Sequence, residues 1–323
     1  MGRARTSTLN LLMAVDKPTG MTSHDVVNRV RRALGERRVG HAGTLDPLAS
    51  GVLVVGVGQA TRLMGLATAE DKRYVARFAF GRETETDDAE GATRIEAAAP
   101  LQVFDEAWAA EQMGLLRAMT AQVPPSYSAI QVNGVRSYDA ARKGSELVLE
   151  KRPIAVTEAF LCAVGVFDDG PDAGRPWWDV ALTVSKGTYV RALARDLGRA
   201  LGSACHVAAL RRMASGLVSV ADCVTLDALE SSGAAAVRPL DPCRVLQCAS
   251  VRLGEQDVAA VRNGQRLSVA RTDGGAGRLV AEGARVALVR DDRLYTVAMR
   301  EGGALVSQVV FPDGIVGVSP AVR

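Results

Sequence analysis

The sequence predicts an α+β fold with a mixed, largely antiparallel central sheet flanked by helices, followed by a small β-rich domain at the C-terminal end. Apolar residues repeat at helical spacing in residues 23–35 and 189–201. Residues 74–80 alternate between apolar and polar side chains, as in a half-buried strand. Beyond about residue 247, short apolar runs are separated by glycine-containing turns, as in a β-rich module. Separate helical and strand segments of this kind are typical of an α+β architecture.

The length and composition indicate a globular protein. The 323 residues suffice for one large domain and one small domain with a substantial core. Hydrophobic residues make up 48% and charged residues 23%, which is ordinary for soluble domains. No apolar run is long enough to span a bilayer, so we expect a cytoplasmic protein without membrane contact. Near the N-terminus, an apolar run of about seven residues precedes Asp16, which favours a buried strand over a secretory signal.

The five cysteines do not form a recognisable framework. Their number is odd, their spacing is irregular and no Cys-x-x-Cys is present, so we expect neither disulfides nor a zinc site. Cys205 and His206 are adjacent, but no further ligand type clusters around them. Reduced thiols in a cytosol fit this pattern.

Positive charge is concentrated in two segments of a chain whose net charge is only +3. Residues 1–40 carry eight Lys or Arg against three acids, and residues 186–212 carry six against one. A solvated helix surface would explain one such segment. Two of them favour a basic face that binds a polyanion such as a nucleic acid.

The N-terminal elements are predicted as strand, helix, loop and strand. The run Leu9–Val15 reads as a buried strand. Ser23 is a candidate N-cap for the following helix, and Gly35 is a candidate for its end. The segment 40–51 contains three glycines and a proline without being of low complexity, and the β-branched run Val52–Val57 follows it.

The later elements complete the prediction. After the strand Tyr74–Phe80, an acidic loop runs to Gly91, and Asp105 can cap a helix ending near Met119. Asn133-Gly134 between two apolar runs is a strong hairpin signal. A further strand is expected at about Trp178–Val184.

A weak composition change predicts the domain boundary. Serine, glycine and alanine residues between about 231 and 245 interrupt the pattern of elements. We therefore expect a catalytic domain at residues 1–244 and a small β-rich domain at residues 245–323.

Asp46 is the first candidate for chemistry. It lies in the glycine-rich segment 40–51, where a ligand can approach the backbone closely, and Pro47 stiffens the loop after it. The residue could instead simply close a turn. An aspartyl phosphatase would require a second aspartate two residues on, but that position is Leu48.

Other catalytic motifs are incomplete. His41 could be a general base, a stacking group or a satisfied loop histidine. The nucleophile elbow Gly-x-Ser-x-Gly is absent, which argues against a Ser-His-Asp hydrolase. Ser185-Lys186-Gly187-Thr188 lacks the glycine frame of a phosphate-binding loop, so ATP binding has no support.

Four separated motifs follow one another along the chain. They are Asp16-Lys17-Pro18-x-Gly20, Gly40-His41-x-Gly43-x-Leu45-Asp46-Pro47-x-Ala49-x-Gly51, Asp71-Lys72-Arg73-Tyr74 and Ser185-Lys186-Gly187-Thr188-Tyr189-Val190-Arg191. Together, in this order, they resemble the TruB family of tRNA pseudouridine synthases. Weaker matches are Pro125-Ser126-Tyr127-Ser128-Ala129 and Leu210-Arg211-Arg212. The resemblance covers about residues 9–230. One motif would be suggestive, whereas four in order are highly specific.

The resemblance implies a pseudouridine synthase fold with a PUA-like RNA-binding domain at residues 245–323. It also implies isomerisation of uridine at position 55 in the T-loop of tRNA, without cofactor or metal. Asp46 would be the nucleophile and Arg191 its basic partner, acting on a base that is flipped out of the RNA.

The resemblance also assigns the remaining site residues. Tyr74 would stack on the uracil and accept a proton, so it belongs to both the catalytic and the binding set. Tyr189 and Leu210 would complete the pocket, and His41 would fill the space that the base leaves. Lys17 matches a turn that supports the active-site loop, and by the resemblance it is counted among the substrate-binding residues.

Two other functions remain open from the sequence. One is an RNA-binding or tRNA-folding protein without required chemistry, against which the intact Asp46, Tyr74 and Arg191 argue. The other is the RNA-guided branch of the superfamily, which needs partner proteins. Because the chain lacks long basic tails, we expect a monomer that binds the tRNA T-arm without an obligatory protein partner.

Overall fold

The computed structural model describes residues 9–67, 71–128, 131–132, 135–137 and 147–319. These residues form two compact units. Unit 1 takes its described residues from 1–47, 51–69 and 214–323, and unit 2 takes its described residues from 48–50 and 70–213.

Strands outnumber helices in the described parts of the chain. The helices are α1 (Ser23–Leu34), α2 (Met64–Ala67), α3 (Glu106–Arg117), α4 (Val190–Ala200), α5 (Leu226–Ser232), α6 (Pro242–Leu246) and α7 (Glu255–Arg262). The strands are β1 (Leu11–Lys17), β2 (Val39–Ala42), β3 (Ala49–Val57), β4 (Lys72–Phe80), β5 (Arg82–Thr84), β6 (Thr93–Glu96), β7 (Ala121–Gln122), β8 (Gln131–Val132), β9 (Val135–Arg136), β10 (Arg152–Pro153), β11 (Val156–Val166), β12 (Pro176–Val184), β13 (Cys205–Ser215), β14 (Val218–Ser219), β15 (Cys223–Thr225), β16 (Ala249–Arg252), β17 (Leu267–Ser268), β18 (Arg285–Arg290), β19 (Arg293–Glu301) and β20 (Ala304–Val316).

The N-terminal strand β1 is central to unit 1. It pairs antiparallel with β3 and parallel with β15, and β2 pairs antiparallel with β3. Leu11 to Val15 are all buried, as expected for a strand with neighbours on both edges and packing on both faces. Helix α1 places Val26, Val27 and Val30 in the same core. The predicted N-terminal strand and helix are therefore confirmed, with β1 two residues further along the chain than expected.

The C-terminal part of unit 1 is β-rich, as predicted. Strands β18, β19 and β20 form an antiparallel meander, and β16 adds a parallel edge. Val316 at the end of β20 pairs with Leu11 of β1, so this meander shares a sheet with the N-terminal strand. The boundary between residues 244 and 245 stays a prediction. Helix α7 was not predicted, although Glu255 and Asp257 in its first turn are a start signal.

Unit 2 is built on an antiparallel sheet that α3 and α4 contact. Strands β11, β12 and β4 pair antiparallel in that order, and β13 lies beside β4. Alternate residues of β12 are buried, and α3 packs against β11. Trp178 is fully buried, and its indole nitrogen donates to the carbonyl of Val103 at 2.8 Å. The predicted helix capped by Asp105 is confirmed and ends at Arg117.

The predicted hairpin is described only in part. Strands β8 and β9 pair antiparallel, whereas Asn133 and Gly134, which carry the hairpin prediction, lie outside the described residues. The predicted fold class, α+β with a mixed, largely antiparallel sheet, is confirmed. Within the described parts of the chain, no helix is long and apolar enough to cross a membrane.

Two helical glycines in unit 2 give a matched test of the packing. A Cβ at Gly198 of α4 would lie 2.4 Å from the Cβ of Cys205, whereas the nearest atom to a Cβ at Gly114 of α3 is 3.9 Å away. We expect Gly198→Ala to lower the free energy of unfolding by about 1–3 kcal/mol through overpacking. Gly114→Ala should leave it unchanged or raise it by up to about 1 kcal/mol. Urea denaturation of both variants measures the difference, and equal effects would contradict this packing.

Candidate active site

The loop that carries Asp46 joins β2 to β3. The two strands pair from Val39 with Val57 to Ala42 with Val54, so the loop connects adjacent antiparallel strands. Asp46 is half-buried. Its carboxylate is therefore in a loop with both ends held by a sheet, a setting that can position a reactive group.

A serine hydroxyl holds the residue before Asp46. Ser23 Oγ donates to the carbonyl of Leu45 at 3.0 Å and accepts from the Leu45 N–H at 2.8 Å. The expectation that Ser23 caps α1 is wrong. Thr22 is the N-cap, and its hydroxyl accepts from the N–H of Asp25 at 3.1 Å. Ser23 is the first residue of the helix, and its hydroxyl is hydrogen-bonded to the backbone of Leu45 in the loop. It therefore does not cap the helix.

A buried lysine holds the residue after Asp46. The Lys17 ammonium group donates to the carbonyls of Pro18 at 2.9 Å, Met21 at 2.6 Å and Pro47 at 3.4 Å. The N–H of Gly20 donates to the same Pro47 carbonyl at 2.9 Å. Because Lys17 is 0% exposed, it acts on the loop and does not contact solvent. The backbone is thus tied down on both sides of Asp46.

His41 lies near the start of the same hairpin. It belongs to β2, is half-buried and pairs with Val55 of β3. Lys17, His41 and Asp46 are therefore the predicted site residues that unit 1 contains.

Unit 2 contains the other four predicted residues. Tyr74 lies on β4 opposite Leu182 of β12 and is half-buried, so part of the ring is accessible. Leu210 lies on β13 and is 8% exposed. Tyr189 and Arg191 are at the start of α4, where Tyr189 is the N-cap residue.

A glutamine side chain fixes the start of α4. The Tyr189 N–H donates to Oε1 of Gln122 at 2.6 Å, and Nε2 of Gln122 donates to the Tyr189 carbonyl at 3.2 Å. Tyr189 has no side-chain cap of its own, so Gln122 satisfies this end of the helix. No local pattern in the sequence links residues 122 and 189, so Gln122 was not predicted.

Arg191 is buried and held by three oxygen acceptors in unit 2. Its guanidinium donates to the carbonyl of Thr86 at 2.7 Å, to Oδ2 of Asp88 at 3.2 Å and to the carbonyl of Tyr127 at 3.0 Å. Only 4% of the residue is exposed. A planar donor group with several fixed acceptors has one orientation.

The next two turns of α4 repeat this arrangement. Arg195 donates to Oδ2 of Asp87 at 2.8 Å, and Arg199 makes a two-bond contact with Glu83 at 2.7 and 2.6 Å. Burial raises the pKa of the Asp87 carboxyl, although Arg195 acts in the opposite direction. Burial also tends to raise the pKa of Glu83, but the hydrogen bonds from Arg199 and Arg94 hold it below its ordinary value.

These contacts correct one prediction about the basic segment 186–212. Arg191, Arg195 and Arg212 are buried, so they do not belong to a basic surface. The acidic loop that was predicted at residues 83–90 supplies Asp88, Asp87 and Glu83 as partners of α4. Counting charges along the sequence does not reveal these ion pairs, because the two members of each pair are more than 100 residues apart in the chain. In the other basic segment, Arg32, Arg37 and Arg38 are exposed.

The adjacent Cys205 and His206 are both buried in unit 2. The His206 ring lies with Nδ1 3.1 Å from the carbonyl of Arg82 and Nε2 3.3 Å from Oδ2 of Asp172. Burial raises the pKa of the Cys205 thiol. Over the ranges that the structure describes, no group of three or more His, Cys, Asp or Glu side chains could hold a metal ion.

Comparison with solved structures identifies the class of fold. The chain is similar to a protein in the solved Cbf5-Nop10-Gar1 complex, with a TM-score of 0.66 and 24% identity over 94% of this chain and 86% of that chain. At this identity the likeness concerns the fold alone.

Sequence comparisons identify the family. The model for the N-terminal domain of TruB family pseudouridylate synthases matches residues 31–190, and that for the tRNA pseudouridylate synthase B C-terminal domain matches residues 191–241. The tRNA pseudouridine synthase B of Mycobacterium bovis (strain BCG / Pasteur 1173P2) is 43% identical over 87% of this chain and 92% of that protein. That of Mycobacterium leprae (strain TN) is 40% identical over 96% of each. The chain belongs to the TruB family of pseudouridine synthases, as the four motifs predicted.

The serine clamp of the Asp46 loop can be tested by stability. We expect Ser23→Ala to lower the free energy of unfolding by about 1–3 kcal/mol, because the buried N–H of Leu45 loses its acceptor. Amide exchange of residues 45 and 46 should also accelerate. Ser231→Ala is the matched control, since its exposed hydroxyl donates only to the carbonyl of Ala228 within α5. That control should change stability by no more than about 0.5 kcal/mol. Equal losses in the two variants would exclude a special role for Ser23.

Proposed function

We propose that this protein isomerises uridine to pseudouridine at position 55 in the T-loop of tRNA, without a cofactor. The observation that carries the proposal is the Asp46 loop, where a family motif coincides with a backbone held on both sides by Ser23 and Lys17. Relatives that are 40–43% identical and bear the name tRNA pseudouridine synthase B support the choice of reaction and substrate.

The reaction requires a nucleophile and a proton acceptor. The N1–C1′ bond breaks, the uracil turns, C5 bonds to C1′ and loses its proton, and N1 gains one. The balance needs no oxidant or reductant. Asp46 is the nucleophile, and its carboxylate must be ionised to act. Because Leu45 and Pro47 are held by hydrogen bonds, little freedom is lost when Asp46 engages the base.

The other residues bind and orient the uridine. Tyr74 offers a flat, partly accessible ring on which the flipped uracil can stack, and it accepts the C5 proton. Tyr189 and Leu210 complete the pocket. His41 fills the space that the base leaves in the RNA. Flipping the base costs a few kcal/mol, which these contacts offset.

Arg191 and Lys17 act through other groups. Arg191 is the basic partner that the family resemblance assigns to Asp46, and its three acceptors in unit 2 fix its orientation. Lys17 is a positioning residue because its ammonium group is fully buried against loop carbonyls.

The partner is the T-arm of tRNA. The exposed Arg32, Arg37 and Arg38 are suited to phosphate contacts, so binding weakens as salt rises. Residues 245–323 form a PUA-like RNA-binding domain appended to the catalytic domain at residues 1–244. The protein acts in the cytoplasm as a monomer, without a guide RNA or an obligatory protein partner.

The nucleophile is tested with Asp46→Asn on an unmodified T-arm stem-loop. Turnover, followed by carbodiimide mapping of pseudouridine, should fall below detection because an amide is a poor nucleophile, while RNA affinity stays near that of the wild type. Asp169→Asn, in an exposed loop of unit 2, is the matched control and should retain full activity. A normal rate in Asp46→Asn would refute the assignment. Tight binding without product in the wild type would favour an RNA-binding role.

The role of the guanidinium is tested with Arg191→Lys. We expect kcat to fall at least about tenfold, because an ammonium point charge cannot reproduce three directed hydrogen bonds. Arg117→Lys is the control, since Arg117 is exposed and donates only to the carbonyl of Ala159. Thermal unfolding of both variants separates loss of folding from loss of rate. Near-normal kcat in Arg191→Lys would contradict the proposed orientation.

A further inference from the structure

Unit 2 contains an open cavity of 550 Å³ beside the later turns of α4. Its lining includes the basic residues Arg94, Lys151 and Arg199 and the apolar residues Met119 and Leu149. A cavity of this size can hold a ligand as large as a nucleotide. None of these five residues belongs to the uridine site proposed above.

The positive charge of the cavity lining is only partly neutralised. Arg94 and Arg199 share a single carboxylate, since Glu83 accepts from Arg94 at 2.9 Å and from Arg199 at 2.7 and 2.6 Å. The Glu83 side chain is 2% exposed, whereas those of Arg94 and Arg199 are 44% and 48% exposed. The two guanidinium groups therefore carry one positive charge more than Glu83 neutralises, and they have accessible hydrogen-bond donors. The carboxylate that they share is buried.

A third arginine beside the cavity has two carboxylate partners. Arg195 is paired with Asp196, which lines the cavity, at 2.8 Å, and with Asp87 at 2.8 Å. This extra negative charge offsets the positive excess of the two arginines that share Glu83. Lys151 is exposed, and among the described residues no carboxylate pairs with it, so it gives the group a net positive charge. An anion that enters the cavity would thus meet three exposed cationic side chains.

The combination of basic and apolar residues indicates the chemistry of the ligand. Paired guanidinium groups recognise phosphate oxygens through directed hydrogen bonds, and an ammonium group adds a mobile positive charge. Met119 and Leu149 in the same lining suit the flat face of a sugar or base. An inorganic anion alone would leave these apolar residues without a contact.

We propose that this cavity binds a nucleotide through its phosphate group, with Arg94, Arg199 and Lys151 as the phosphate contacts. The favoured source is a backbone phosphate of the bound RNA, and this assignment of the source rests on the proposed function. Arg199 is eight residues after Arg191 on α4, which corresponds to about 12 Å along the helix axis. That spacing is within the reach of nucleotides close to the reacting uridine. A free nucleotide carries the same chemistry and is the other source.

The test compares two substitutions with a matched control in the full-length protein. Arg94→Gln and Lys151→Gln are combined, since both side chains are exposed and Arg199 still neutralises Glu83. Lys151→Gln is also measured alone, because it removes no ion pair among the described residues. Arg117→Gln removes the same type of charge from unit 2 outside the cavity. Thermal unfolding of each variant verifies that it is folded.

Two ligands distinguish the sources. Uridine 5′-monophosphate is titrated by calorimetry, and the T-arm stem-loop is titrated at several salt concentrations. If RNA is the source, the double variant binds the stem-loop about tenfold more weakly, and the salt slope falls by about 0.7–0.9 for each lost phosphate contact. If a free nucleotide is the source, binding of the monophosphate falls about tenfold and stem-loop binding does not change.

The proposal is overturned if the double variant and Arg117→Gln bind both ligands with the same affinity and salt slope. This outcome is independent of catalysis. If the wild type makes no pseudouridine but the double variant binds RNA more weakly than the wild type does, the proposed function is contradicted and the phosphate site is retained. A wild type that converts uridine, with variants indistinguishable from the control, would exclude the site alone.

Discussion

The burial of cationic side chains against fixed oxygen acceptors is the constraint on which the candidate site depends. Removing a charge from water costs several kcal/mol unless hydrogen bonds replace the lost solvation. For Lys17, hydrogen bonds to three carbonyls offset this cost, and one of them is the carbonyl of Pro47. One of the acceptors that satisfy the lysine is therefore part of the Asp46 loop. The same contacts that allow Lys17 to be buried also define where the backbone of Asp46 lies.

Helix α4 applies the same constraint in unit 2. Arg191, Arg195 and Arg199 are spaced four residues apart, so they lie along one side of the helix. Their carboxylate partners come from residues 83–88 in the reverse order along the chain. Each ion pair connects a different turn of the helix to that segment. Breaking one of the buried pairs would leave a buried charge without a partner. The series ends at Arg199, whose exposed guanidinium shares Glu83 with Arg94 beside the phosphate cavity.

These arrangements assign different tasks to chemically similar side chains. A lysine and an arginine from family motifs, Lys17 and Arg191, are buried and orient the loop and the helix start. Arg32, Arg37 and Arg38, which lie outside those motifs, are exposed and available to a polyanion. Counting charges along the chain does not separate these tasks. Burial and the identity of the acceptor separate them. For this reason the prediction of a basic surface at residues 186–212 was partly wrong.

The sequence by itself determined the element types, the family and the identity of the candidate residues. Periodicity and caps depend on neighbours within a few positions, so β1, α1, α3 and α4 could be predicted from local pattern. Only the tertiary structure decided that Ser23 binds Leu45, that Gln122 holds Tyr189 and that the acidic loop neutralises α4. Those partners are 22 to 116 residues apart, and no local rule relates such positions. Chain folding alone brings them within hydrogen-bond distance, and long-range contacts of this kind set the charge and rigidity around the site.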